Sequence, residues 1–188
     1  QGALNSDEDE SSRRKTIREQ IERMDNIVHY QLRRAATAGS SPGMGMLVLP
    51  PIVNRIIMTV KMAYRNKHPE ISVDIANTIG MRIDEGDLME LLGNLIDNAF
   101  KWCRTRIQIS AAYQGNWVEI QVKDDGPGIQ SNEIERILER GVRADQSTPG
   151  HGIGLAIVRD IIQVYGGELA IQNCDPTGAC ITLRLRKK

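Results

Sequence analysis

The sequence predicts an α+β fold: a mixed, largely antiparallel sheet covered on one face by helices, with a helical segment ahead of it. Three observations carry this. Apolar residues recur at three- and four-residue spacing in separate blocks, the mark of amphipathic helices. Two pairs of alternating segments, each joined by a short turn, read as antiparallel hairpins. Hydrophobic residues make up 40 % of the 188-residue chain but aromatics only 4 %, so the core must be aliphatic.

The elements follow in order. Residues 1–15 are polar, with the acidic run Asp7-Glu8-Asp9-Glu10, and read as a loop or frayed end. Thr16 to Ala38 reads as a helix on which Ile17, Ile21, Met24, Val28 and Leu32 form a narrow apolar stripe. One helix alone cannot bury that stripe, so it needs a partner helix or a second chain. Gly39 to Gly45 is a linker by composition. Residues 1–45 therefore read as a helical segment with its linker, and 46–188 as the main domain. Pro50 and Pro51 fit the first turn of a helix running to about Lys67. Ile71, Val73 and Ile75 alternate as a short strand, and Asp84 is placed to cap the next helix. Strands at Arg106 to Tyr113 and Trp117 to Asp124 meet near Gly115-Asn116. A glycine turn, a short helix near Glu133 to Glu139, an irregular stretch to Gly150 and a helix from about Gly152 to Tyr165 come next. Strands Glu168 to Asn173 and Ala179 to Arg186 close the chain, joined by the turn Asp175-Pro176-Thr177-Gly178.

Composition narrows the function. The net charge is zero, and no basic stripe is interleaved with aromatics, which argues against nucleic acid as a partner. No apolar run approaches the roughly 20 residues of a membrane span, and no signal peptide is present. The chain as given reads as soluble. Cys103, Cys174 and Cys180 are odd in number and lack C-x-x-C spacing, so reduced thiols in a cytoplasmic compartment are expected. His29, His68 and His151 are too scattered for a metal cluster.

The helix after Asp84 is the informative one. Leu88, Leu91, Leu92, Leu95, Ile96 and Ala99 share one broad face, while Glu90, Asn94, Asn98 and Lys101 fall opposite. Asparagine is a mediocre helix former. Amide oxygens are hard neutral ligands that suit Mg²⁺, and a nearby lysine suits phosphate. The same pattern describes a solvated polar face, and the helix alone does not choose between the two.

Two glycine-rich turns follow. In Asp124-Asp125-Gly126-Pro127-Gly128-Ile129 the preceding strand alternates, with Val118, Ile120 and Val122 on one side. The same parity puts Asp124 on the apolar side and Asp125 on the solvent side. A carboxylate facing inward must find a donor. The exocyclic amine of a purine would serve, and so would backbone amides of a tight turn. In Gly150-His151-Gly152-Ile153-Gly154-Leu155-Ala156, alternate glycines open an apolar helix, an arrangement that suits phosphate or a flexible hinge. The lysine and Ser/Thr of a P-loop are absent, and no strand precedes the glycines as a dinucleotide fingerprint requires. Arg140 to Gly150 reads as a mobile lid from which Arg140 and Arg143 reach a terminal phosphate.

Taken together and in this order, the three sites resemble the ATP-binding domain of sensor histidine kinases, in the superfamily shared with gyrase B, Hsp90 and MutL. Asn94 to Trp102 look like its N box, Asp124 to Gly128 its G1 box and Gly150 to Gly154 its G2 box. Ile137 to Gly141 look like a weak F box, with Leu138 where phenylalanine is usual. The resemblance spans about Leu47 to Arg186 and is strongest to the PhoQ type of sensor kinase. It implies the Bergerat-type two-layer fold with ATP and Mg²⁺ bound. Asn98 would ligate the metal with help from Asn94, Lys101 would contact phosphates, and Trp102 would lie by the nucleotide. Asp124 would accept from the adenine amine, with Gly126, Gly128 and Ile129 shaping the pocket. Arg140, Arg143, His151, Gly152, Gly154 and Leu155 would close over the phosphates, with Asn94, Lys101 and Arg143 carrying the catalysis. His151 stands where a glutamine is expected and Thr148 where an arginine is.

Gyrase-like ATPases carry a catalytic glutamate where this chain has Asn94, and an amide cannot act as a general base. The resemblance therefore implies that ATP is held for transfer to a histidine, then for relay to a response regulator. The alternatives are an ATP-hydrolysing conformational switch and a non-catalytic nucleotide-binding or dimerisation module. The usual acceptor motif is absent, and the surroundings of His29 do not match it. The 16–38 helix would be the second helix of a dimerisation hairpin whose first helix carries the acceptor. The chain then reads as a piece cut just after that helix. The full-length parent would be a homodimer in the bacterial inner membrane, attached through segments missing upstream.

Overall fold

A computed structural model of the chain describes residues 45–132, 134, 153–174 and 177–187. The expected 16–38 helix with His29, most of the short helix near 133–139, Arg140, Arg143, Thr148, His151 and Gly152 lie outside the described residues. So do Asp175 and Pro176 of the last turn.

The described elements run β1 (Leu47–Val48), α1 (Leu49–Ala63), β2 (Glu70–Ile75), β3 (Gly80–Met81), α2 (Glu85–Trp102), β4 (Arg106–Gln114), β5 (Trp117–Asp124), α3 (Ile153–Val164), β6 (Glu168–Asn173) and β7 (Ala179–Arg186). Five strands form one sheet in the order β2-β4-β5-β7-β6, and β1 and β3 form a separate antiparallel pair. Neighbours in the large sheet are antiparallel except β2 and β4, which run parallel from Glu70↔Arg106 to Ile75↔Ala111. Parallel neighbours need a crossover, and α2 supplies it. This is the expected α+β sandwich with a mixed sheet.

Register decides which face is apolar. Ile107, Ile109 and Ala111 of β4 pair with Asp124, Val122 and Ile120 of β5. Ile181, Leu183 and Leu185 of β7 pair with Val122, Ile120 and Val118. The hydrophobic members of this face are buried, and the helices pack over it. Gln121 and Thr182, paired on the opposite face, hydrogen-bond to each other. Val73 departs from the expected strand pattern at 40 % exposure, because β2 is an edge strand with a neighbour on one side only.

Helix α2 occupies the middle of the helical layer and packs against α1, α3 and β5. The six apolar residues of its expected face are all buried, joined by Phe100, the chain's one phenylalanine. Each of the leucine, isoleucine and phenylalanine side chains contributes about 1.5–3 kcal/mol by leaving water. Phe100 also stacks on Tyr64 with ring centroids 6.0 Å apart. At the N-terminus, the Asp84 side chain accepts from the Asp87 amide, as the sequence suggested. Tyr165, just past α3, adds a second tie there. Its hydroxyl donates to Asp87 Oδ2 at 2.6 Å and accepts from the Asp84 amide at 3.2 Å.

Helix α1 is shorter than expected. It begins with prolines in its first turn, as predicted, but leaves helical geometry at Tyr64 (φ −104°, ψ 53°). Lys67, expected in its last turn, instead sends its ammonium to the carbonyls of Phe100, Lys101 and Cys103 at 3.0, 2.7 and 3.5 Å. Those are carbonyls a helix end leaves unpaired, and a cation is favoured there by the dipole. Strands β1 and β3 were not anticipated; two residues each leave no periodicity to read.

Burial, first, and the Asp87 hydrogen bond hold the Tyr165 hydroxyl in its neutral, donating form well above neutral pH. Tyr165→Phe removes that donor from the buried Asp87 and an acceptor from Asp84. The expected loss is about 1–3 kcal/mol, seen as a lower urea midpoint with an unchanged slope.

Candidate nucleotide site

Three segments converge near the C-terminal end of β5, the central strand: the polar face of α2, the turn after Asp124, and the start of α3. The α2 face is not a solvated one. Glu90, Asn94 and Asn98 are each half-buried. The Asn94 amide nitrogen donates to the Glu90 carbonyl one turn back at 2.7 Å. That leaves its oxygen facing Gly154 on α3, where a Cβ would stand only 2.9 Å away. Asn98 Oδ1 accepts from the Trp102 indole N–H at 3.2 Å, and the Lys101 ammonium lies 5.2 Å from the Trp102 ring centroid. Asn94, Asn98 and Lys101 thus lie on the side that the helical wheel assigned them, and Trp102 joins Asn98 and Lys101 there. The Leu155 side chain is buried in the core; only its backbone is left to offer a ligand.

Strand parity holds at the turn. Asp124 pairs with Ile107 on the apolar face and is half-buried. Its Oδ1 accepts from the Gly126 amide at 2.8 Å and the Ala179 amide at 3.4 Å. No donor among the described residues reaches Oδ2. Burial pushes the Asp124 carboxyl above the ordinary aspartate value; the two amides oppose this, and the charge of Asp125 adds to it. Among the described residues, then, one oxygen is anchored while the other is left to accept from an incoming N–H donor.

Asp125 faces the other way, but it is more than a solvated acid. It accepts from the amides of Arg104 and Thr105 at 2.8 and 3.0 Å, and from the Thr105 hydroxyl at 2.6 Å. Partial burial works to raise its carboxyl. The Thr105 hydroxyl and the amides around it outweigh that and hold it well below the usual carboxylate range. Asp125 so fastens the loop after α2 to the end of β5.

That fastening brings the turn hard against the helix. A Cβ on residue 126 would lie 2.5 Å from the Trp102 carbonyl oxygen and 2.7 Å from Asp124 Oδ1, so only glycine fits. Gly128 takes φ +81°, a left-handed geometry that other residues rarely adopt. The Ile129 backbone is then gripped by Asn173 at the end of β6, which accepts from Ile129 N–H at 2.8 Å and donates to Ile129 C=O at 2.9 Å. Asn173, Lys67 and the Ala179 amide carried no sequence signal; each reaches the site only through folding.

A pinned carboxylate beside an amide-bearing helix and a glycine-opened helix matches one known architecture. Residues 83–188, more than half the chain, match the model of the histidine kinase-, DNA gyrase B- and HSP90-like ATPases. The chain belongs to this family. It is 37 % identical over 170 residues to the two-component sensor PhoQ of Pseudomonas aeruginosa, covering 90 % of this chain but 38 % of that protein. Among solved structures it resembles the mycobacterial sensor histidine kinase MprB, with TM-score 0.66, 26 % identity, and coverage of 78 % of this chain and 99 % of that one. It also shares a fold with ShkA, solved in complex with AMPPNP, at TM-score 0.65 and 24 % identity, covering 91 % of this chain and 37 % of that one. The chain's PhoQ-like character was legible in the sequence. Among the described residues no helix is long and apolar enough to cross a membrane, and no cluster of His, Cys, Asp and Glu could hold a metal.

Asp125 gives a pH prediction. The Asp125 carboxyl ionises more readily in the folded chain than in the unfolded one, whose value is about 4. Its stabilisation is complete above that value and is lost as pH falls through the lower folded one. Urea midpoints measured between about pH 6 and pH 3 should fall more steeply for the wild type than for Asp125→Asn.

Proposed function

We propose that this domain binds Mg-ATP and transfers the γ-phosphoryl to a histidine on a dimerisation helix, for relay to a response-regulator aspartate. The observation that carries the reading is Asp124: one oxygen is held by two backbone amides, and the other is open beside a glycine-lined turn. That is an acceptor aimed at the amine of an adenine. Asn98, assisted by Asn94, would hold Mg²⁺ through neutral amide oxygens, as suits a hard cation that brings its own phosphate ligands. The metal neutralises phosphate charge when bound. Lys101 would add a cation from the end of α2, Arg143 and Arg140 would contact the γ-phosphate, and Trp102 would flank the nucleotide. Gly126, Gly128 and Ile129 would shape the base pocket; Gly152, Gly154, Leu155 and His151 would contact the phosphates.

Phosphoryl transfer asks a protein mainly for positioning and charge neutralisation, and every assigned role is one of these. Hydrolysis would need a base for water. Asn94 cannot be one, and its amide nitrogen is committed to the Glu90 carbonyl. ATP would thus be kept intact for the imidazole. In this reading residues 1–45 are the remainder of a dimerisation hairpin with its linker, and 46–188 the catalytic domain. The parent would be a dimeric membrane sensor holding this domain in the cytoplasm. Its likeness to a PhoQ sensor of which it covers 38 % supports that arrangement.

Incubating the chain with radiolabelled ATP and a separate acceptor hairpin should place label on the hairpin. An unlabelled hairpin with rapid phosphate release would instead support an ATP-hydrolysing switch. Calorimetry with a non-hydrolysable ATP analogue should show binding; its absence would leave a dimerisation module. Asp124→Asn replaces an acceptor with a competing donor, and should weaken nucleotide affinity by about 100-fold.

A further inference from the structure

We infer that Asn173 is a positioning residue that sets selectivity for a 6-aminopurine, by clamping the turn that aims Asp124. The inference rests on Asp124 being the adenine acceptor. The turn from Asp125 to Gln130 has no regular backbone pairing of its own, and it contains two glycines and a proline. Asp125 ties its start to the loop after α2; the β6–β7 hairpin holds it at two further points. The Ala179 amide reaches Asp124 Oδ1 where the turn begins. Asn173, the register partner of Ala179, holds Ile129 where it ends.

The clamp on Ile129 is bidentate. Its N–H can only donate and its C=O can only accept, so both ends of the Asn173 amide are used and its orientation has one solution. The sequence separation is 44 residues, which excludes a local turn motif. Gly128 makes room for the clamp: a Cβ there would lie 2.7 Å from Asn173 Oδ1. Residue type at 128 and at 173 are thus two halves of one arrangement.

Asn173 is solvent-exposed, so its hydrogen bonds replace bonds to water and add little to global stability. What they fix is direction. An N–H···O contact weakens steeply as its angle degrades, so a loose turn would blur the one contact that distinguishes adenine. Hypoxanthine has an oxygen in place of the 6-amine, and so cannot make that contact. The clamp should therefore matter for ADP and not for inosine diphosphate (IDP).

Calorimetry on the full chain with ADP and with IDP tests this. The wild type should prefer ADP. Asn173→Ala should lose about 3- to 10-fold in ADP affinity with IDP unchanged, and with a melting temperature near that of the wild type. The Ile129 amide should also exchange faster by NMR, while the Gly126 amide should not. Asn173→Asp keeps the acceptor for Ile129 N–H and loses the donor to its C=O, so it should show part of the same selective loss; it also serves if the alanine variant fails to fold. Equal losses for ADP and IDP would mean a merely structural role and would overturn the inference, as would unchanged ADP preference in both variants. A wild type that binds neither nucleotide would overturn the nucleotide-binding reading itself, and the inference with it.

Discussion

The ammonium of Lys67 against the last carbonyls of α2, and the Tyr165 hydroxyl between Asp84 and Asp87 at its first turn, hold one helix at both ends. Hydrophobic burial fixes which way α2 faces, because its apolar residues admit one orientation toward the sheet. Packing and the end contacts together set the helix's place along its own axis, and the position of Asn94, Asn98 and Lys101 with it. The Trp102 carbonyl then limits how near the glycine turn can come, so the spacing between helix and turn is set by the same constraint.

Two adjacent aspartates show how a pleat divides labour. Asp124 and Asp125 have identical chemistry and opposite environments. One lies on the helix-covered face, where desolvation raises its carboxyl. The other turns to the loop after α2, where a hydroxyl and backbone amides lower its own. The first is left with an open oxygen and the second with none to offer, because its partners tie α2 to β5. A one-residue slip of β5 would exchange the roles and undo both.

What could be read from the chain was local. The wheel of α2, the Asp84 cap and the parity that turned Asp124 inward each depend on residues within a few positions of one another. The three glycine-bearing segments gave the family because their order and contexts agree. The rest depends on register between distant strands. Nothing around Asn173 marks it, since its partner is fixed by pairing with Ala179. Lys67 looked like the tail of a helix because the carbonyls that recruit it belong to another. The half-burial of the α2 polar face was hidden too: a wheel shows which residues share a side, but not that α3 and the turn cover it.

The ties that finish the site span long stretches of chain. Asp84 and Tyr165 are 81 residues apart, Asp124 and Ala179 are 55, and Ile129 and Asn173 are 44. Loop closure of that length is slow relative to helix or hairpin formation. On a ribosome the β6–β7 hairpin also emerges after α2, β4 and β5, which precede it in the chain. A chain can therefore have α2 and the β4–β5 hairpin in place while Asp124 still lacks its second amide and the turn its clamp. The site is then the last part of the domain to be completed, because its ties close over the longest stretches of chain.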